Sequence, residues 1–268
     1  IAKVFLDDRF PKWKEDNKTH MIPPMFKAKD SYHQIGIPET EPYSDSGDNG
    51  ESIIYELLRK LGNKKNMGMF VIHGLSLDGI KSWKIYSLLE LSCKDAEQDF
   101  IIFHHRLGLI FIAVKNTSKR NIKTEMVKAE KLLKGSVDII KKFSKPRMGV
   151  LSNEASRDDA PNNSYNFSIP HKQVIALPSK SKSKVNFNLQ SVNSDTLLLL
   201  KDDCQDLASF QKWWEETIAH DATEMPVETQ DAYKRALSTV LMICHLCPVT
   251  ETEGIEEIHK SLVSFNFH

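Results

Sequence analysis

EQDFIIFHHRLGLIFIAVKN, residues 97–116, places two apolar runs on either side of a short polar break. Runs of this length and composition read as strands. The turn around Arg106–Gly108 joins them into an antiparallel hairpin. Side chains alternate along a strand, so Glu97, Asp99, Ile101 and Phe103 form one set, faced by Leu109, Phe111, Ala113 and Lys115. A hairpin centred on Arg106 sets position 99 opposite 113 and 97 opposite 115. The other set, Phe100, Ile102, Ile110, Ile112 and Val114, is apolar throughout, which predicts two central strands covered on both faces. Polar groups gather only at the open end of the hairpin, as Glu97, Asp99 and Lys115. A buried charge has to be paired or bound to metal. Two readings meet that requirement: a Glu97–Lys115 ion pair reaching water, and a divalent-metal site.

Outward from the hairpin, MGMFVIHGLSL (67–77) reads as a third strand. In GESIIYELLRKLG (50–62), Ile53, Ile54, Leu57, Leu58 and Leu61 recur at helical spacing, with Gly62 as the expected stop. TEMVKAEKLLKGSVDIIKKF (124–143) predicts an amphipathic helix with Met126, Val127, Leu132, Leu133, Val137 and Ile140 inward and its lysines outward. QVIALP and DTLLLLKDD read as two further short strands, and ASFQKWWEETI as a helix burying Phe210, Trp213 and Trp214. The proline-bearing residues 1–46 read as an irregular arm, residues 47–220 as the main domain, and residues 221–268 as a C-terminal helical subdomain. Residues 144–170 read as a long loop. This order predicts an α/β fold with a mixed central sheet flanked by helices, plus a C-terminal helical segment.

Composition narrows the classes. The chain has 268 residues, 40% hydrophobic and 27% charged, as in globular proteins rather than fibrous, disordered or membrane-spanning chains. Its four cysteines are too few for a disulfide framework and point to a reduced, intracellular setting, cytoplasmic or nuclear. The opening Ile1 and the missing leader pattern suggest a piece of a longer protein with further domains. Lysines and arginines balance acids at 36 each, but unevenly. From Lys115 to Arg147 there are eleven basic residues against three acidic ones. Such a face can serve a nucleic-acid partner, can equally meet a second copy of the chain in a homodimer, or can simply be solvated.

A helix opening with glutamate, a strand carrying aspartate, a strand ending in x-Lys and a following basic helix resemble the PD-(D/E)xK nuclease superfamily. GESIIYELLRKLG and EQDFIIFHHRLGLIFIAVKN, with the helix after them, look most like its nuclease-related domain, NERD. The resemblance spans about residues 47–143. It implies a restriction-endonuclease-like αβββαβ core and metal-dependent hydrolysis of nucleic acid, DNA favoured over RNA. The catalytic set it implies is Glu51, Asp99, position 113 and Lys115. Asp99, the carbonyl of Val114 and Glu51 would hold Mg²⁺ or Mn²⁺ through hard oxygens. Lys115 would hold the attacking water or the phosphate. Asn116, Lys119, Arg120, Lys123, Lys128 and Lys131 would grip the backbone.

The departure is Ala113, where the family carries glutamate: IAVKN stands in place of IEVKN. The survival of Glu51, Asp99, Lys115 and Asn116 points to a designed Glu→Ala replacement more than to drift after loss of function. Either way, weak metal binding and little cleavage are expected of this chain. The alternative is a catalytically silent module of the same fold that binds nucleic acid or a protein partner.

Other motifs carry less. Cys244 and Cys247 have C-x-x-C spacing but no second pair, and read as buried thiols. His104 and His105 read as turn residues, and His73 as a satisfied strand-end histidine. Trp213 and Trp214 could stack bases, but their helical spacing beside Phe210 favours core packing. No P-loop, H-E-x-x-H helix or G-x-S-x-G elbow is present.

Overall fold

The computed structural model describes residues 6–8, 10–13, 15, 17–22, 46–76, 97–115, 122–145, 169–185, 195–220 and 225–246. They build a six-stranded mixed sheet whose spatial order follows the chain: β1 (Thr19–Ile22), β2 (Met69–Ser76), β3 (Glu97–His104), β4 (Gly108–Val114), β5 (His171–Leu177) and β6 (Thr196–Leu200). The meander β2–β3–β4 is antiparallel, whereas β1 joins β2, β5 joins β4 and β6 joins β5 in parallel. A parallel pairing needs a crossover. Between β4 and β5 the connection includes α2 (Ile122–Ser144), which follows α1 (Ser46–Lys65) in the order of helices.

Two apolar clusters sandwich the sheet. On one side Phe70, Ile72, Ile101, Phe103, Phe111 and Ala113 pack with Met126, Leu133 and Val137 of α2. On the other, Phe100, Ile102, Ile110, Ile112 and Val114 pack with Ile54, Leu58 and Leu61 of α1. All seven residues of β4 are buried, as expected of a central strand covered on both faces. Burying one such side chain stabilises the fold by roughly 1.5–3 kcal/mol. The short helix α3 (Lys182–Val185) precedes β6. After β6 come a 3₁₀ turn (Lys201–Cys204), α4 (Leu207–Trp213) and a π-helical turn (Trp214–Ile218). Phe210, Trp213 and Trp214 are all buried on the α1 side.

Several expectations are corrected. The N-terminal arm supplies β1 at the sheet edge, and Leu6 and Trp13 are buried in the core. Helix α1 starts at Ser46, four residues before the expected helix at 50–62, and passes through Gly62 to Lys65. Its stop is Asn66, whose φ of 48° is left-handed. There the Met67 N–H donates to the Gly62 carbonyl at 3.1 Å, the reach-back bond of a Schellman cap. Gly62 answers a different need, because a Cβ there would meet Thr19 of β1. Val127 is exposed. The buried stripe of α2 runs through Met126, Ala129, Leu133, Val137 and Ile140, and one residue past Met126 turns about 100° away from it.

The last helix is α5 (Val227–Leu246); residues 247–268 of the expected C-terminal subdomain lie outside the described residues. Its Tyr233, Leu237 and Val240 share the α2-side core. Among the described residues no helix is long and apolar enough to cross a membrane.

Candidate functional site

The hairpin register pairs Phe100 with Ile112 and His104 with Gly108, so continuing it one step sets Asp99 opposite Ala113 as the sequence predicts. Beyond Phe100 the strand no longer alternates simply. On the β2 side the register runs from His73↔Phe100 to Leu75↔Gln98, with Gly74 between them, opposite Asp99. Gly74 has φ +64°, a conformation that side-chain-bearing residues rarely adopt. His73 packs on the α1 face beside Phe100, whereas Leu75 belongs to the α2-side core. Gln98 turns with Leu75: its amide meets the Ser136 hydroxyl on α2. The expected face shared by Glu97, Asp99, Ile101 and Phe103 therefore breaks at Asp99. The polar side chain that reaches the α2 side is Gln98. The side chain of Glu97 lies outside the described residues.

Asp99 points along the sheet. Its Oδ2 accepts the Val114 N–H at 2.8 Å, while the next N–H of the chain, that of Lys115, donates to the Ala176 carbonyl of β5 at 2.9 Å. The carboxylate therefore supplies β4 with the acceptor that a backbone carbonyl of β3 would otherwise provide. Lys115 Nζ stands 3.9 Å from the same oxygen, and the side chains are 22% and 4% exposed respectively. This is a charged pair with its acid end buried and its amine end toward water. The Asp99–Lys115 juxtaposition carries over from the sequence reading; the Glu97–Lys115 pair involves a side chain that is not described.

Glu51 serves a different partner. Its Oε2 is 3.1 Å from His73 Nε2, with the two side chains 6% and 5% exposed. Tyr55 meets the His73 ring edge-on at 5.9 Å, and Phe100 lies 4.8 Å from it. His73 lies within β2, not at its end. The Glu51–His73 pair and the Asp99–Lys115 pair thus sit in neighbouring rows of the sheet, linked through consecutive residues Phe100 and Asp99. Among the described residues no group of three or more His, Cys, Asp or Glu side chains converges as a metal cage. Position 113 contributes only a buried methyl group.

Comparisons with protein-family models, with curated proteins and with solved structures return no match.

The donor set suits a hard cation held weakly. Asp99 offers carboxylate oxygen, and Mg²⁺ commonly takes only one or two carboxylates, with substrate phosphate and water completing its shell. A buried amide with an unmet hydrogen-bonding position, that of Gln98, lies in the adjoining residue.

Of the residues expected to bind nucleic acid, Lys123, Lys128 and Lys131 are exposed on α2, with Lys128 paired to Glu125 at 2.7 Å. Asn116, Lys119 and Arg120 lie outside the described residues, as do Cys93, Cys247 and most of the loop between α2 and β5. The tryptophans offer no stacking platform: both are buried, and Trp213 Nε1 donates to the Leu198 carbonyl at 2.9 Å. His104 is the last residue of β3 and not the turn residue expected; its Nδ1 accepts the N–H groups of the turn residues Arg106 and Leu107 at 3.1 and 3.3 Å. Burial above all, then the charges of His105 and Arg106, lowers its pKa to about 4. Lys182, before β6, pairs with Asp203 at 2.8 Å.

Sequence reasoning passed over Gln98 and Ser136 and set His73 aside. Ser136 had a signal, being a hydroxyl on the apolar stripe of α2. Gln98 had none, because its direction depends on Gly74 in another strand.

Proposed function

We propose that this chain is a PD-(D/E)xK-type nuclease domain acting on the phosphodiester backbone of nucleic acid, with its hydrolytic step silenced by Ala113. The observation that carries the reading is the convergence of Asp99 and Lys115 at the end of the β3–β4 hairpin, directly beside the buried Ala113. Support comes from the order of elements: a helix, three antiparallel strands, a helix and a parallel strand, with α1 and α2 on opposite faces. This is the αβββαβ order that the resemblance implies. DNA is favoured over RNA by the resemblance alone.

Asp99 and the Val114 carbonyl would hold Mg²⁺ or Mn²⁺, which when bound stabilises charge on the phosphoryl oxygens and acidifies water. Lys115, partly exposed and tethered by Asp99, is placed to orient a phosphate oxygen or the attacking water. Glu51 acts on this site through His73 and the adjoining row of the sheet, not as a ligand beside Asp99. The lysines of α2 add sequence-independent attraction for phosphates.

A second reading, a silent module that binds nucleic acid or a protein, is favoured by one specific contact: Asp99 Oδ2 is already engaged by the Val114 N–H. The test compares this chain with Ala113→Glu on labelled single- and double-stranded DNA and RNA, in Mn²⁺, Mg²⁺ or EDTA. Metal-dependent cleavage by Ala113→Glu, abolished by adding Asp99→Ala, is expected. Salt-sensitive binding without cleavage by either form would transfer the conclusion to the silent module. Neither cleavage nor binding would remove both.

A further inference from the structure

Side chains at alternate positions of a strand share a face, and β2 obeys this as far as His73. Phe70 and Ile72 lie in the α2-side core and Val71 in the α1-side core. His73 follows on the α1 side, where it meets Glu51 and Phe100. Leu75 should share that face, yet it lies in the α2-side core. β3 reverses in the same row: Phe100 is on the α1 side, and Gln98, two residues away, meets Ser136 of α2. Between these pairs stand Gly74 and, opposite it, Asp99. The left-handed residue of this row is Gly74, with φ +64°. Among the described residues the other positive φ values belong to Asn66 at a helix end and Gly108 at the hairpin turn. A Cβ on Gly74 would meet nothing within 4 Å. Space does not demand glycine there; the backbone conformation does.

The reversal divides the sheet. β3 keeps its pairing with β2 through Leu75↔Gln98 to Ser76↔Glu97, and β4 keeps its pairing with β5 as far as Val114↔Ala176. Pairing between β3 and β4 ends sooner, at Phe100↔Ile112. Two further steps of that register would set Gln98 opposite Val114; the strands part instead. In the fork the Asp99 carboxylate takes the Val114 N–H at 2.8 Å, and Lys115 Nζ stands 3.9 Å from the same oxygen. We propose that Gly74 is the positioning residue of the Asp99–Lys115 site. By reversing β2 it carries β3 away from β4 and opens the fork that the Asp99 carboxylate fills. Having no side chain, Gly74 acts through its backbone alone. The inference rests on the reading of Asp99 and Lys115 as the working pair, and goes beyond it in naming the residue, on another strand, that assembles them.

The test uses the full chain and the ¹H–¹⁵N resonance of the Val114 amide, which reports its contact with Asp99 without metal or nucleic acid. In the parent, Asp99→Asn takes the charge off the acceptor and is expected to move that resonance. In Gly74→Ala, where a left-handed backbone is disfavoured, the response to Asp99→Asn should be lost. In Gly74→Asn, whose side chain tolerates that conformation, it should persist. A glycine needed for stability alone would lower the melting temperature of Gly74→Ala and leave the Val114 response intact; that outcome would overturn the proposal. So would a folded Gly74→Asn without the response, which keeps the test decisive if Gly74→Ala does not fold. Ala113→Glu, assayed for cleavage in Mn²⁺, separates the two failures. If Ala113→Glu does not cleave while the Val114 pattern holds, the nuclease reading falls and Gly74 keeps its role. If Ala113→Glu cleaves and the response survives in Gly74→Ala, the nuclease reading stands and the role of Gly74 falls.

Discussion

Glu51 and His73 hold each other at 3.1 Å across the α1–β2 interface, in a pocket closed by Tyr55 and Phe100. A carboxylate buried this deeply is tolerated because the imidazole meets it with a hydrogen-bonding nitrogen. Removing the imidazole takes that hydrogen-bonding nitrogen away from a buried acid. His73→Ala is expected to destabilise the chain by about 3 kcal/mol, read as a lower urea midpoint at unchanged slope. His73→Gln, whose amide can still donate to Glu51, should recover a good part of the loss. Equal damage from both substitutions would mean that ring packing against Phe100, not the contact with Glu51, is what counts.

His104 makes stability depend on acid. Its pKa in the fold is about 4 against an ordinary 6.5, because burial penalises the charged ring. The unfolded chain therefore takes up the proton first as pH falls. The contribution is intact above pH 6.5 and is lost progressively as pH drops from 6.5 toward 4. Its size is on the order of 3 kcal/mol, at 1.36 kcal/mol per pH unit. Urea titrations at several pH values within that window should show the loss. His104→Asn keeps an acceptor for the turn N–H groups without the titration, and should flatten the profile there. A profile as steep as that of the parent would assign the acid sensitivity elsewhere.

Gly62 presents a conflict between helix and sheet. Inside a helix, Gly→Ala ordinarily gains about 1 kcal/mol. Here the added Cβ would stand 2.7 Å from Thr19 Cβ. Thr19 is itself held by its hydroxyl, which donates to the Met67 carbonyl at 2.8 Å. Gly62→Ala is therefore expected to destabilise by roughly 1–3 kcal/mol net, the usual penalty of overpacking. A more stable Gly62→Ala chain would show that β1 yields without cost.

What could be read from residues alone followed the physics of long, regular patterns. The β3–β4 hairpin was legible because Phe100, Ile102, Ile110 and Ile112 mark one face by strict alternation and Gly108 closes the turn. Helix α2 was legible from its apolar stripe. β1 was not: THMI is four residues long and pairs in parallel with β2 across some fifty residues of chain, so no local pattern announces it. Gly62 looked like a helix stop because its role depends on Thr19, remote in sequence. At the candidate site, Asp99 and Lys115 were legible as polar exceptions in an apolar hairpin. The partnership of Glu51 with His73 and the turn of Gln98 toward Ser136 were not, since each is decided by a neighbouring element.

The short first strand also governs how this chain can be cut. β1 lies against β2, whose residues Met69–Ile72 are apolar and fully buried. A version trimmed to the nuclease-like segment, starting near residue 47, would keep every candidate site residue and lose this cover. The hydrogen-bonding edge of β2 would then be open to any other strand. Such a trimmed chain would fail first by self-association, through edge-to-edge pairing of β2 between molecules. The four residues Thr19–Ile22 act as a guard rail for solubility, outside the segment that the chemistry alone would mark as the domain.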